Sequence, residues 1–156
     1  MNFLSFLIPL ISISLSDSVS QANVPPDREG LLSGAGMGLA SFAEMNGYPG
    51  PKHVLEFKDQ LGLSPDQEKK TETLMKGVQV SAKLLGEEIV GEEESLNKLF
   101  ETGKITEKTL RARAEHIGIL RSQLRFIHTQ AHLKMKGILS SNQIQRYVEL
   151  RGHGSH

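Results

Sequence analysis

Two long stretches of this chain carry the same signature, an apolar residue recurring every seven positions among charged neighbours. In the first, Met75, Ala82, Ile89 and Leu96 form one row, and Val78, Leu85 and Leu99 form a second that Glu92 interrupts. In the other, Leu110, Ile117, Leu124, Ala131 and Ile138 form one row, with Leu120 and Ile127 in the partner row. Such stripes predict two amphipathic helices that each bury one narrow face. Between them Thr102-Gly103-Lys104-Ile105 reads as a turn, and Thr106 with Glu107 restarts the helix. Two heptad stripes joined by a short turn predict an antiparallel hairpin with coiled-coil-like packing.

The hairpin's open end has its own punctuation. Leu63-Ser64-Pro65-Asp66-Gln67 is a compact helix start: Ser64 caps, Pro65 takes the first helical position, and Gln67 reaches back to the cap residue. The helix it opens is expected to run to Phe100, on the order of 55 Å. Leu139-Ser140-Ser141-Asn142-Gln143 repeats the motif and opens a short last helix, Gln143 to Leu150. Before the hairpin, Lys52 to Leu63 reads as one short amphipathic helix, with Val54, Leu55, Phe57 and Leu61 on one side and Gly62 as its stop. The fold class is therefore all-α, a long antiparallel helical hairpin with short flanking helices over residues 52–151. Residues 23–51 read as a flexible Gly/Pro-rich arm with at most a few helical turns, and 152–156 as a frayed tail.

Folding the stripes about Gly103 sets a register. Leu99 falls beside Leu110, Leu85 beside Leu124, and Val78 beside Ala131. The same register levels Gly91 with Gly118, which reads either as a close helix approach or shared bend or as coincidence in a chain with 15 glycines. It also brings Glu92 near His116.

Composition and the N-terminus then bound the function. Lys+Arg and Asp+Glu are 18 each, which removes the basic excess that a nucleic-acid partner requires. Hydrophobic residues make up 38% and aromatics 5%, a composition suited to thin helix-on-helix packing. Phe3 to Leu15 is an apolar run shorter than the ~20 residues of a bilayer-spanning helix. Ser20-Gln21-Ala22 follows with a small-x-small cleavage pattern, so residues 1–22 are expected to be a secretory signal peptide. An N-terminal anchor helix is the alternative, and the absence of a basic residue before Phe3 departs from the usual signal. Cysteine is 0, which rules out a disulfide framework or a lipoprotein anchor. The expectation is a soluble periplasmic protein, not inserted in the membrane once the signal is removed.

Signatures of catalysis are missing: there is no Gly-x-Ser-x-Gly, no His-Glu-x-x-His and no cysteine nucleophile. Gly34-Ala35-Gly36-Met37-Gly38 lacks the Lys-Ser/Thr that follows a phosphate-binding loop. The chain reads as a binder, not an enzyme, with no required cofactor.

The paired motifs carry a resemblance. Leu63, Ser64 and Gln67, then Leu139, Ser140 and Gln143, match the Leu-Thr-x-x-Gln pattern with Ser in place of the commoner Thr. Over roughly Lys52 to Arg151 the chain resembles the LTxxQ-motif Spy/CpxP family of periplasmic proteins, which is related to ZraP- and CnrX-type metal-responsive proteins. The resemblance implies a four-helix α-hairpin that pairs with a second copy into a cradle-shaped homodimer. It further implies an ATP-independent chaperone, an envelope-stress modulator or a metal-responsive protein, whose partners are unfolded periplasmic proteins or a membrane stress sensor. Fold likeness does not choose among these.

Two candidate surfaces bear on that choice, and both lie on an outer stripe of the second long helix. His128 and His132, spaced i,i+4, project from one face and could share a cation, with Met135 three residues on. A thioether favours a softer metal, so zinc, copper or nickel is the candidate cofactor. Further ligands would come from His53, His116, a tail histidine or a partner subunit. On the same stripe Arg121, Arg125, His128, His132 and Lys136 form a basic ridge, a candidate client-binding surface. The Glu87, Glu88, Glu92, Glu93 and Glu94 cluster reads as a solvated face whose charge complements Arg111, Arg113, Arg121 and Arg125.

Overall fold

The computed structural model describes residues 24–152; the expected signal segment and the last tail residues lie outside them. Seven helices follow one another: α1 (Arg28–Ser33), α2 (Ser41–Met45), α3 (Pro51–Glu56), α4 (Lys58–Leu61), α5 (Pro65–Glu101), α6 (Glu107–Ile138) and α7 (Ser141–Leu150). Among the described residues there is no strand, and no helix is long and apolar enough to cross a membrane.

α5 and α6 are the long pair. Gly103 takes the left-handed conformation (φ 63°) that the turn requires. Ser64 caps α5 and Ser140 caps α7, each hydroxyl accepting from the backbone N–H three residues on while that residue's glutamine accepts from the cap N–H. Thr106 and Thr109 make the same reciprocal pair at the start of α6. Each cap contributes ~1 kcal/mol.

The two Leu-Ser-x-x-Gln motifs also meet each other. Gln67 Nε2 donates to Gln143 Oε1 at 2.8 Å, and Gln143 Nε2 returns a bond to Gln67 Oε1 at 3.0 Å. Gln67 also donates to the Ile138 carbonyl at the end of α6, and Gln143 to the Leu61 carbonyl at the end of α4. One amide pair thus ties four helix ends together at the open end of the hairpin. Glutamine suits this position because one side chain offers both a donor pair and an acceptor.

The core has two centres. At the open end Val54, Leu61, Met135, Leu139 and Tyr147 are buried together, with Phe57 meeting the Tyr147 ring edge-on at 6.4 Å. Midway along the hairpin Ala82, Ile89, Val90, Leu120 and Leu124 pack with Leu31 of α1. Towards the turn the seam thins, and Leu110 is already exposed.

Several sequence expectations change. Lys52 to Leu63 is two short helices broken at Phe57, not one. The 24–51 part of the expected arm is packed against the hairpin: Leu31 is 1% exposed, and Leu32 and Leu39 join the same cluster. The glycines that matter for close approach are not Gly91 and Gly118, since a Cβ at either would meet no atom within 4 Å. Close approach occurs instead at buried Gly86, where a Cβ would run into the backbone carbonyl of Leu31. Glu92 pairs with Arg113 and not with His116, which faces Glu88 at 3.9 Å.

Candidate functional site

α6 carries the stripe that holds Arg121, Arg125, His128, His132 and Lys136, and segment 27–48 lies along it. Arg121 grips both carboxylate oxygens of Asp27 (2.7 and 3.2 Å) and reaches Glu93 of α5 at 3.0 Å. The guanidinium holds the Asp27 carboxyl below its ordinary range, mainly through that hydrogen bond, and the pair in turn raises Arg121. Arg125 stacks over the Phe42 ring at 5.2 Å, and Lys136 sits over the Tyr48 ring at 4.2 Å. Gly36 passes close to the His128 ring. His132 donates from Nδ1 to the Tyr48 carbonyl at 2.9 Å. Each ridge residue therefore faces a residue of the N-terminal segment, a relation that periodicity within α6 alone could not reveal.

Three of the five clustered glutamates are paired with arginines. Glu93 joins Arg121, Glu92 joins Arg113, and Glu94 joins Arg28 of α1. Arg111 pairs within its own helix with Glu107 at 3.9 Å, so the expected complement to the cluster comes from Arg113, Arg121 and Arg28.

Beneath the segment lies a cavity of about 670 Å³. Residues of 33–53 form its roof, and Met75, Val78, His128, Ala131 and His132 contribute to its floor. The lining is mainly apolar, with Met37 and Met45 at the roof adding two thioethers to that of Met75. His128 is half-buried, its Nε2 is without a hydrogen-bond partner, and burial pushes its pKa down, helped by His132. His132 is buried, and its Nδ1–H donates to the Tyr48 carbonyl, which leaves Nε2 on the far side of the ring from Tyr48.

At one end of the cavity a polar knot holds the segment to α7. The Tyr147 hydroxyl donates to the Glu44 carboxylate (2.7 and 2.8 Å) and accepts from the Gly50 N–H at 3.3 Å. Arg151 approaches Glu44 at 3.5 Å. Burial, then the Glu44 bond, raises the Tyr147 hydroxyl well above its ordinary range.

The expected metal set is only partly brought together. His128 and His132 share the cavity wall, and His53 lines it too while bonding Glu56 at 2.7 Å. Met135 does not join them: it is 0% exposed and packed in the open-end core. Its thioether sits where α3, α4 and α7 converge, so spacing along α6 placed it correctly on the helix but not at the site. His116 lies with Glu88 away from the pair. Among the described residues no three His, Asp or Glu side chains form a group that could hold a metal ion.

One feature with a clear sequence signal was missed. Ile119, Phe126 and Leu133 are 56, 60 and 59% exposed, and Val80 and Leu84 of α5 are exposed as well. The α6 trio repeats every seven residues, two positions on from the buried Ile117, Leu124 and Ala131 row, and so lies about 200° around the helix. Comparison with known protein families, with characterised proteins and with solved structures found no match, so the reading of this site rests on its own geometry.

Proposed function

We propose that the protein is a periplasmic, ATP-independent chaperone or envelope-stress modulator of the Spy/CpxP type, binding partly unfolded or signalling proteins on the basic ridge of α6. The observation that carries this reading is the juxtaposition of that ridge with a largely apolar cavity of about 670 Å³. Cationic side chains beside apolar surface suit weak capture of chains that expose both acidic and apolar residues. The resemblance carried by Leu63, Ser64, Gln67, Leu139, Ser140 and Gln143 points the same way. A second copy of the chain is the proposed partner of the exposed Ile119, Phe126 and Leu133 stripe, because an apolar heptad row is the pattern of a helix–helix interface. The test is aggregation of a chemically unfolded client in the absence of nucleotide. Suppression near one protein per client supports the reading, and no suppression at any ratio removes it.

A second reading, a heavy-metal-binding sensor or resistance protein, is favoured by one detail. A histidine whose Nδ1 donates to a backbone carbonyl, as His132 does to Tyr48, is oriented as metal-ligating imidazoles are. Zinc, copper or nickel would then raise the melting temperature, because a ligand that binds the folded state stabilises it. The shift would vanish in His128→Ala/His132→Ala, and an unchanged melting curve with all three metals would dispose of this reading.

A further inference from the structure

The cavity beneath residues 33–53 has a firmly packed roof. Ala40, Ala43 and Pro49 are buried, Leu39 packs on the mid-hairpin cluster, and the Tyr147 hydroxyl holds Glu44 and Gly50. At about 670 Å³ it has the size of a small-molecule site. Met75, Val78 and Ala131 contribute the apolar floor, and Met37, Ala40 and Met45 the apolar roof. Such a lining offers water few hydrogen-bond partners and favours apolar groups placed against it.

At the polar end of the cavity the formal charges cancel: Arg151 lies 3.5 Å from Glu44, and Lys52 lies 4.0 Å from Glu56. Two acceptors there keep spare capacity. His132 donates from Nδ1 to the Tyr48 carbonyl, so the neutral ring offers Nε2 as an acceptor, and among the described residues Nε2 has no hydrogen-bond partner. Glu44 accepts from Tyr147, and a carboxylate has about four acceptor positions. Gly50, which lines the cavity, lets the two approach each other. A Cβ at that position would lie 2.6 Å from Glu44 Oε1 and 3.4 Å from His132 Nε2, so both atoms stand beside the same stretch of backbone.

We propose that the cavity binds a small, uncharged, largely apolar molecule carrying a hydroxyl group, with the hydroxyl donating to His132 Nε2 and the apolar body lying along Met75, Val78 and Ala131. Two neighbouring acceptors call for a donor, and the surrounding charges narrow it to a neutral one. A carboxylate would lie against Glu44, and an ammonium against Arg151 and Lys52. The inference goes beyond the chaperone reading and does not depend on it, because it concerns the space beneath the segment and not the ridge residues that the segment faces.

The experiment titrates octanol, and methyl heptyl ether as its isomer without a donor, into the protein at about pH 8. Binding is followed by calorimetry, with a chelator present so that no metal engages the histidines. One neutral hydrogen bond is worth about fivefold in affinity, so octanol should bind about fivefold more tightly than the ether, and His132→Phe should erase the difference. Hexanol, shorter by two methylenes, should bind about fifteenfold more weakly than octanol. Octanoate and octylammonium should both bind more weakly than octanol. In proton NMR, octanol should shift the ring signals of His128 and His132 and leave that of His116, three residues from Ile119 of the exposed stripe, in place. No octanol binding up to its solubility, equal affinity for alcohol and ether, tighter binding of either charged analogue, or shifts confined to His116 overturns the proposal. So does an undiminished preference for octanol in a folded His132→Phe protein. If that variant does not fold, the alcohol–ether comparison and the histidine signals of the unaltered protein decide.

Discussion

Replacing Gly86 by alanine tests the packing of α1 on the hairpin. In an open helix interior, Gly→Ala stabilises by ~0.8–1 kcal/mol, because alanine loses less backbone freedom on folding. Gly91 and Gly118 are such sites, since a Cβ there meets nothing within 4 Å. At Gly86 the added methyl would strike the carbonyl oxygen, carbonyl carbon and Cα of Leu31, all backbone atoms of α1 that cannot rotate away. Either α1 shifts and Leu31 leaves its buried seat, or the helices spread. Exposing a leucine costs ~1.5–3 kcal/mol, and overpacking costs ~1–3 kcal/mol. Set against the propensity gain, Gly86→Ala should destabilise by ~1–2 kcal/mol, while Gly91→Ala and Gly118→Ala each stabilise by up to ~1 kcal/mol. Urea unfolding followed by circular dichroism gives all three numbers. A Gly86→Ala protein as stable as Gly91→Ala would mean that α1 does not lie across α5 at this point.

Other perturbations address the clamp and the ridge. Gln67→Ala and Gln143→Ala should each cost ~1–2 kcal/mol, from the lost side-chain half of the capping box and the part-buried hydrogen bonds of the amide pair. Because each amide donates to the other, the double variant should cost less than the sum of the two; strict additivity in urea unfolding would show that the pair is not coupled. His128 is held below its ordinary pKa of 6.5 by burial, so the fold favours the neutral ring. Its contribution is fully present above pH 6.5 and is lost as the pH falls from there through the depressed value. The stability lost between about pH 7.5 and about pH 5.5 should therefore be smaller in His128→Gln than in the unaltered protein, and equal losses in both would refute the assignment.

The all-helical fold and its long helix pair were legible in the sequence because each long helix repeats its apolar pattern over several heptads and begins with a capping residue whose partner stands three positions on. Ser64 with Gln67 and Ser140 with Gln143 announced their local roles, but nothing in either motif announced that the two glutamines bond to one another across 76 residues. Residues 24–51 were harder to read. Helices of six and five residues are too short to display a period, and they persist by packing on a neighbour, not by propensity. Leu31 and Gly86, the two halves of that packing, lie in different elements, and glycines at 34, 36 and 38 masked the apolar positions between them. The ridge residues were recognised as sharing one face of α6. Their covering was not, since Asp27, Phe42 and Tyr48 are isolated residues whose importance is set by what they meet. Met135 shows the converse, correct helical spacing leading to the wrong environment because burial depends on all the helices that converge there.

The central claim, that the ridge of α6 is the face that binds other polypeptides, is tested most directly by comparing aggregation suppression by the unaltered protein with that by Arg125→Ala/Lys136→Ala. Both side chains are exposed on α6 and meet the rest of the fold through the Phe42 and Tyr48 rings, so the variant should keep its helicity. The expected result is suppression near one protein per client for the unaltered chain and a severalfold higher requirement for the variant. Equal suppression by the two would place client binding elsewhere on the molecule and contradict the claim.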